Sequence, residues 1–176
     1  MTLPPLATTA QLAAHMQVDE TALPANAAQT LDMVSAIVRA EARQHFTRGT
    51  STVTLYPADD GTVRLPQRPV VSISAVQRDG EPIPYWRVSA EGFRVRGCEP
   101  VSVTFTHGYA ETPGDVLAVA LTAAQRVLSN PNDLRQETVG AVSVTYAAET
   151  IGASLSQADR DLLARYRRTA AMVRTV

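Results

Sequence analysis

A strand that passes directly into a helix constrains the fold of this chain more than any other feature, and it lies within Val101–Pro131. Over Val101–Thr106, apolar and hydroxyl side chains alternate, which is the pattern of a strand with one buried face. Gly108 ends the strand, and Thr112-Pro113 predicts a helix start with threonine as N-cap and proline at the first helical position. Asn130-Pro131 ends the helix, because the residue before a proline avoids helical geometry. Its apolar face comprises Val116, Leu117, Ala120, Leu121, Ala124, Val127 and Leu128.

Two amphipathic helices are predicted before the strands. Thr8–Gln11 has the pattern of a capping box and opens a short helix through Met16. Pro24 begins a longer helix that runs to about Phe46 and is ended by Gly49. Neither helix would be stable alone in water, so both need a packing partner.

Short strands and turns account for nearly all of residues 52–107. Ala58–Gly61 predicts a hairpin turn that joins the strands on either side of it, with glycine supplying a positive φ. The two prolines of Pro66–Pro69 exclude a central strand there. Asp79-Gly80 predicts a second turn, from which Ile83–Val88 returns as a strand. We count five or six consecutive, mostly antiparallel strands.

The order of elements indicates the fold class. After the long helix, Thr138–Ala147 has the alternation of one more strand, and Ser156–Asp159 caps a last helix. We therefore predict an α+β fold, a small helical bundle with an antiparallel β insertion between its N-terminal and C-terminal helices. We expect one domain over residues 1–176, divided into N-terminal helices (1–48), the β insertion (50–108) and C-terminal helices with an intervening strand (112–176).

Composition narrows the functional class. At 176 residues the chain can bury a core without metal or disulfide support. Its 16 basic residues, all arginine, nearly cancel 17 acidic ones, so whole-chain charge does not indicate nucleic-acid or membrane binding. Cys98 has no partner for an intramolecular disulfide, which suits a reducing cytosol. No apolar run is long enough to span a bilayer and no signal peptide is present, so we expect synthesis and retention in the cytoplasm.

No catalytic, cofactor or metal site is predicted. The three histidines lie on different predicted elements without metal-ligand spacing: His15, His45 and His107. Asp59-Asp60-Gly61 lacks the later ligands of a calcium loop and fits a hairpin tip. Glu111 and Asp115 would repel a phosphate at the start of the long helix. We therefore predict that the chain is not an enzyme and takes no cofactor.

The C-terminal end is locally basic. Residues 155–176 contain five arginines and two aspartates, which gives this segment a net side-chain charge of +3. Arginine is favoured at protein interfaces and on phosphate backbones, so we hypothesise that this end docks on a partner through Arg160, Arg165, Arg167, Arg168 and Arg174. The alternative is a solvated helix face in which Asp159 and Asp161 pair with Arg165 at helical spacing.

Five segments in the same order resemble the small head–tail adaptor proteins (connector or head-completion proteins) of tailed phages, especially those of actinobacteria. They are LATTAQLAA near the N-terminus, VRLPQRPVVSISAVQRDGEPI in the β block, VTFTHGYAETPGDVLAVALTAAQRVLSNP, the residues Arg135, Glu137, Val139-Gly140 and Ser143–Tyr146, and LSQADRDLLARYRR. The sequence departs mildly from the pattern at Gly140–Val142, where a more polar pair is expected.

This resemblance implies a structural virion protein of the phage neck. Such adaptors form a ring, commonly twelve-fold, between the portal and the stopper or tail-completion proteins, and they extend the channel through which packaged double-stranded DNA passes without sequence-specific binding. Their C-terminal segment engages the portal, which would give the five arginines a docking role. The loops of the β block would contact neighbouring copies or the next ring, here through Asp59, Asp60, Gly61, Asp79, Gly80 and Glu81.

Three alternatives remain. The chain could be a stopper or tail-completion protein one ring further down, although those often contain more β structure and lack the paired N-terminal helices. It could be a nucleic-acid-binding module that uses the C-terminal arginines, but aromatic residues do not accompany them as in typical binders; Tyr166 is the only one in that helix. An enzyme is disfavoured because no catalytic constellation is present.

Overall fold

The computed structural model describes residues 3–89, 92–130, 136–139, 142–145 and 155–167. They fall into two compact units, which we describe separately. The helical unit comprises residues 3–44 and the described residues of 112–167, and the β unit comprises the described residues of 45–111. The predicted α+β class, with an antiparallel β insertion between two groups of helices, is confirmed.

The described elements follow the order expected from the sequence. In chain order they are α1 (Thr9–Met16), a 3-10 turn (Glu20–Ala22), α2 (Ala27–Ala42), β1 (Gly49–Leu55), β2 (Thr62–Arg64), β3 (Val70–Arg78), β4 (Glu81–Pro82), β5 (Arg87–Ser89), β6 (Gly92–Arg94), β7 (Val101–His107), α3 (Gly114–Ser129), β8 (Gln136–Val139), β9 (Val142–Thr145) and α4 (Gln157–Ala164).

The N-terminal helices follow local capping signals. The Gln11 N–H donates to Thr8 Oγ1 at 3.1 Å and the Thr8 N–H donates to Gln11 Oε1 at 2.9 Å, so the predicted capping box is confirmed. The second helix is shorter than predicted at both ends. It stops at Ala42 because Arg43 takes a left-handed conformation (φ 53°), and Gly49 belongs to β1.

The long helix α3 begins differently from the prediction. Pro113 occupies the cap position and the helix starts at Gly114, so Thr112 is not the N-cap. Its hydroxyl instead donates to the Leu6 carbonyl at 3.0 Å. The predicted end before Pro131 is confirmed. The buried face of α3 packs with that of α2 in the helical core, through Leu31, Val34, Val38, Val116, Val119, Ala120, Ala124 and Leu128.

The N-terminal segment before α1 joins this core at Leu6. Leu6 is buried, and its N–H donates to Ser35 Oγ at 2.9 Å. The Ser35 hydroxyl in turn donates to the Leu31 carbonyl, which ties the N-terminal segment to α2.

The β unit contains two antiparallel sheets. One has the order β1-β7-β3-β4 and the other has the order β2-β6-β5. Their inward-facing side chains share one apolar cluster, formed by Val63, Leu65, Val76, Phe93, Val95, Val101, Val103 and Phe105. The alternation predicted for β7 is confirmed, since its apolar residues are fully buried and its hydroxyl residues are partly exposed.

The hairpin predicted around Ala58–Gly61 is wrong, whereas the turn predicted at Asp79-Gly80 does join paired strands, since β3 pairs with β4. The turn at Ala58–Gly61 forms, with the Gly61 N–H donating to the Ala58 carbonyl at 2.7 Å. However, β1 pairs with β7 and β2 pairs with β6, so this turn carries the chain from one sheet to the other. The predicted strand Ile83–Val88 is also wrong for most of its length: residues 83–86, which include Pro84, connect β4 to β5, and these two strands lie in different sheets.

The segment between α3 and α4 also differs from the prediction. We expected one strand over Thr138–Ala147. The chain instead forms a hairpin in which β8 pairs with β9 in antiparallel register. Residues 140–141 and 146–147 lie outside the described residues.

Candidate partner-binding surfaces

The arginine-bearing helix α4 is the first candidate surface. Three of the five arginines expected to bind a partner are described, namely Arg160, Arg165 and Arg167, and all three are exposed. Arg168 and Arg174 lie outside the described residues. The three described arginines are thus accessible along and just beyond α4, and their binding to a partner stays a prediction.

Arg165 is held by residues of the helical unit. Its guanidinium forms an ion pair with Asp115, in the first turn of α3, and lies 5.1 Å from the centroid of the Tyr166 ring. The Tyr166 hydroxyl donates to the other oxygen of Asp115 at 2.9 Å. Burial alone would raise the pKa of Asp115, but the hydrogen bonds from Arg165 and Tyr166 outweigh it and lower that pKa.

Arg167 has a partner on α2. Its guanidinium forms an ion pair with the Glu41 carboxylate, and its Nε donates to the Glu41 backbone carbonyl at 3.0 Å. Two of the three described arginines are therefore already bound to acidic groups of α2 and α3. Arg160 is exposed and forms no ion pair with a described residue, so it is the most available of these three arginines to a partner.

The predicted pairing of Asp159 and Asp161 with Arg165 does not occur. Asp159 forms the α4 capping box with Ser156 and also an ion pair with Arg126 of α3. Burial would raise the pKa of Asp159, but Arg126 and the Ser156 N–H hold it below its ordinary value. Asp161 accepts a hydrogen bond from the Gln157 amide at 2.8 Å. Sequence spacing could not identify partners that come from other helices.

The loop Asp59–Gly61 is the first of the two predicted β-loop contacts. Asp60 accepts hydrogen bonds from the Thr62 hydroxyl at 2.7 Å and from the Thr62 N–H at 3.0 Å, and it forms an ion pair with Arg94 at 3.1 Å. The Thr62 hydrogen bonds and the Arg94 charge lower the pKa of Asp60. The neighbouring Asp59 is exposed, so the loop presents a fixed acidic tip.

The second predicted loop joins β3 to β4. Asp79 and Gly80 both have positive φ, 51° and 86°, as in a two-residue hairpin turn of type I′. Glu81 directly follows the turn and pairs in register with Arg78. All three residues Asp79, Gly80 and Glu81 are exposed, which leaves them accessible to a neighbour.

Sequence reasoning missed an arginine-bearing face on the three-stranded sheet. Arg94 of β6 lies directly opposite Arg87 of β5. Arg64 of β2 shares this face, because Thr62 pairs with Arg94 and side chains two residues apart point the same way. The signal was the alternation of arginine with the buried Val63 and Phe93. It could be interpreted only once the strand partners were known.

Other kinds of site were sought in the described part of the chain. Its histidine, cysteine and acidic side chains form no group of three or more that could hold a metal ion. None of the described helices is long and apolar enough to cross a membrane.

The fold is similar to that of chains in solved gene transfer agent (GTA) particles. In "Virion of native gene transfer agent (GTA) particle", a chain matches with a TM-score of 0.61 and 17% identity, over 95% of this chain and 92% of that chain. "Neck of empty GTA particle computed with C6 symmetry" matches with a TM-score of 0.54 and 15% identity over 95% and 92%. "Neck of native GTA particle computed with C12 symmetry" matches with a TM-score of 0.51 and 18% identity over 98% of both chains.

No protein-family model and no curated protein sequence matches this chain. At 15–18% identity, the likeness to the particle chains shows a shared fold. It extends over nearly the whole length of both partners in each comparison, so the helical and β units are both included.

Proposed function

We propose that this chain is a structural virion protein, the head-to-tail adaptor of a phage-like particle. In this role it forms a ring between the portal and the stopper or tail-completion proteins and extends the DNA channel. The observation that carries the proposal is the fold likeness to virion and neck chains over at least 95% of this sequence. The whole chain, 1–176, then acts as one adaptor domain.

The assembly we propose is a homo-oligomeric ring, a dodecamer. Two of the similar structures are necks computed with C6 and C12 symmetry, which supports a cyclic arrangement. A cyclic ring requires two different surfaces on each copy that complement each other. In the acidic loops Asp59–Gly61 and Asp79–Glu81 every residue but the partly buried Gly61 is exposed, and we assign these loops to contacts with neighbouring copies or with the next ring.

The portal is the proposed partner of the basic end. Arg160 is exposed on α4, and Arg165 and Arg167 lie at and beyond its C-terminal end. The ion pairs with Asp115 and Glu41 keep the latter two at fixed positions on the helical unit, so their exposed guanidinium groups are held in a fixed arrangement. Arg168 and Arg174 extend the same proposal along the sequence.

The packaged DNA passes through the proposed ring without sequence-specific binding. The chain carries 16 basic and 17 acidic residues, which favours passage over strong attraction. A protein that gripped DNA would neutralise many phosphates and show a steep salt dependence. We assign the chain to the virion neck, with no catalytic role and no membrane association.

The paired helices α1 and α2 favour the adaptor over a stopper or tail-completion protein. They occupy residues 9–42 and pack in one core with α3, so they are an integral part of the fold. This organisation corresponds to the bundle expected of an adaptor.

Deletion of the gene from the genome that carries it tests the function. We expect the lysate, viewed by electron microscopy, to contain DNA-filled heads beside free, finished tails, because the two cannot join. Complementation with the intact gene should restore joined particles. Normal infectious particles in the deletion strain would refute the proposal.

A further inference from the structure

Strand β1 is a long edge strand of the β unit. It is the outermost strand of the four-stranded sheet and pairs with β7 in an unbroken register from Gly49↔His107 to Leu55↔Val101. On its other side it pairs with none of the described strands. The backbone donors and acceptors that point to this side are therefore available for another strand.

Edge strands of natural proteins are usually protected by charge, proline, a bulge or extreme shortness. β1 has the sequence GTSTVTL, with no charged residue and no proline, and its seven residues pair with β7 without a register shift. Its inward-facing Val53 and Leu55 are only partly buried, whereas their neighbours Val101 and Val103 on β7 are fully buried. A further strand at this edge would complete the burial of both side chains.

The opposite side of the same sheet has a second open edge. β4 covers only the end of β3, at Gln77 and Arg78, with one more hydrogen bond from the Ile83 N–H to the Val76 carbonyl at 2.9 Å. Residues 70–75 of β3, VVSISA, are uncharged and have no strand on their outer side among the described residues. Val71 is 47% exposed and Ile73 is partly buried. The sheet thus has two uncharged edges on opposite sides.

We propose that β1 of one copy pairs with β3 of the next copy, so that the four-stranded sheets join edge to edge around the ring. This inference rests on the proposed ring. In a cyclic ring each copy must offer two different surfaces, whereas pairing of β1 with β1 would close a two-fold dimer. The two open edges meet this requirement, and both continue the apolar inner face through Val53, Leu55 and Ile73.

The direction of the junction follows from the topology. β1 and β3 both run antiparallel to β7, so they run parallel to each other within one copy. Rotation about a ring axis relates one copy to the next and keeps this sense for neighbouring copies. The junction is therefore parallel, and the register shifts at Val71 and Ser74 curve β3 at the junction, as bulges do.

Cysteine pairs test this junction. In a Cys98→Ser background, Thr52→Cys on β1 is combined with Ser72→Cys on β3, and Thr50→Cys or Thr54→Cys replaces the first to sample other registers. Within one copy β7 separates the two strands by about 10 Å, beyond the roughly 7 Å limit for a disulfide. Any bond between them must therefore join two copies.

The variants are expressed in the gene-deletion strain, and purified particles are oxidised and analysed on non-reducing gels. We expect at least one pair to give a ladder of covalent oligomers that collapses on reduction. Each single-cysteine variant should give no ladder. Thr52→Cys with Thr104→Cys is the control for oxidation, because these hydroxyls lie 2.8 Å apart on paired strands and should give an intramolecular disulfide.

The outcomes separate this inference from the proposed function. Particles that contain the chain without a ladder from any pair would refute edge pairing and leave the neck assignment standing. If Thr52→Cys alone gave a complete covalent dimer, the β1–β3 junction would be refuted in favour of a two-fold β1–β1 contact. A disulfide-linked adduct with another virion protein would show that this protein, and not a second copy of the chain, binds the edge. Absence of the chain from particles would refute the proposed function itself.

Discussion

His107 at the end of β7 is a buried imidazole without a charged partner. Its Nε2 lies 2.8 Å from the Ser51 hydroxyl, its ring centroid is 5.6 Å from that of His45, and its Nδ1 has no hydrogen-bond partner in the part of the chain that the structure describes. Burial, with a smaller contribution from His45, lowers the pKa of His107 below the ordinary 6.5. The sequence could place this residue at a strand end, but its burial depends on strands that are distant in the chain.

Acidification should therefore destabilise the β unit. Between the lowered pKa and 6.5 the unfolded chain binds more protons than the folded one, so the contribution of His107 is present above pH 6.5 and lost as pH falls through its folded pKa. We expect the wild-type melting temperature, followed by Trp86 fluorescence, to fall more from pH 7.5 to 5.5 than that of His107→Gln. Equal decreases would contradict the assignment.

The Asp159 side chain both caps α4 and joins it to α3. It accepts hydrogen bonds from the Ser156 N–H and from Arg126, and it is only 8% exposed. Asp159→Asn should lower the free energy of unfolding by about 1–3 kcal/mol, because Arg126 loses its anionic partner. Urea denaturation measures the change, and the exposed Asp161→Asn is the control, with an expected effect within about 0.5 kcal/mol.

At the scale of elements, helices were predicted more accurately than strand pairs. Capping and proline signals are local, so the start of α1 and the end of α3 follow from neighbouring residues. Strand pairing depends on contacts between distant residues, such as β1 with β7, which local turn signals do not reveal. The turn at Asp79-Gly80 gave the right partners, β3 and β4, whereas the turn at Ala58–Gly61 forms but joins different sheets and not the two strands of a hairpin.

Arg87 and Arg94 give a stability prediction for the three-stranded sheet. Like charges directly opposite on paired strands are destabilising, so Arg87→Glu should raise the free energy of unfolding by roughly 0.2–1 kcal/mol. Arg87→Gln removes the repulsion without adding attraction and should give a smaller increase. Urea denaturation at low salt measures both. A destabilised Arg87→Glu variant would show that the arginine has another role in the fold.

Helix α4 is joined to α2 and α3 by ion pairs near its C-terminal end. Asp115→Asn combined with Glu41→Gln removes the partners of Arg165 and Arg167. We expect faster hydrogen exchange of the α4 amides with little change in those of α1, because only the docking of α4 is weakened. High salt should accelerate exchange in wild type more than in the double variant. Unchanged α4 protection would show that apolar packing, through Leu163, is sufficient.

For the whole molecule, the order of helices and strands predicted the α+β fold, while the neck role implied by the family resemblance stays a proposal. The identity of contact surfaces was not predictable to the same extent. Arg165 and Arg167 stood out by charge, yet their acidic partners lie on other helices and were invisible to spacing. The two open edges of the four-stranded sheet became apparent only from its strand order.

Cryo-electron microscopy of the head–tail junction, in particles made by the genome that encodes this chain, would show whether the protein is the adaptor. We expect a cyclic ring of twelve copies next to the portal, with density that fits both the helical and the β unit. A junction in which other proteins account for every ring, or the presence of this chain elsewhere in the particle, would contradict it.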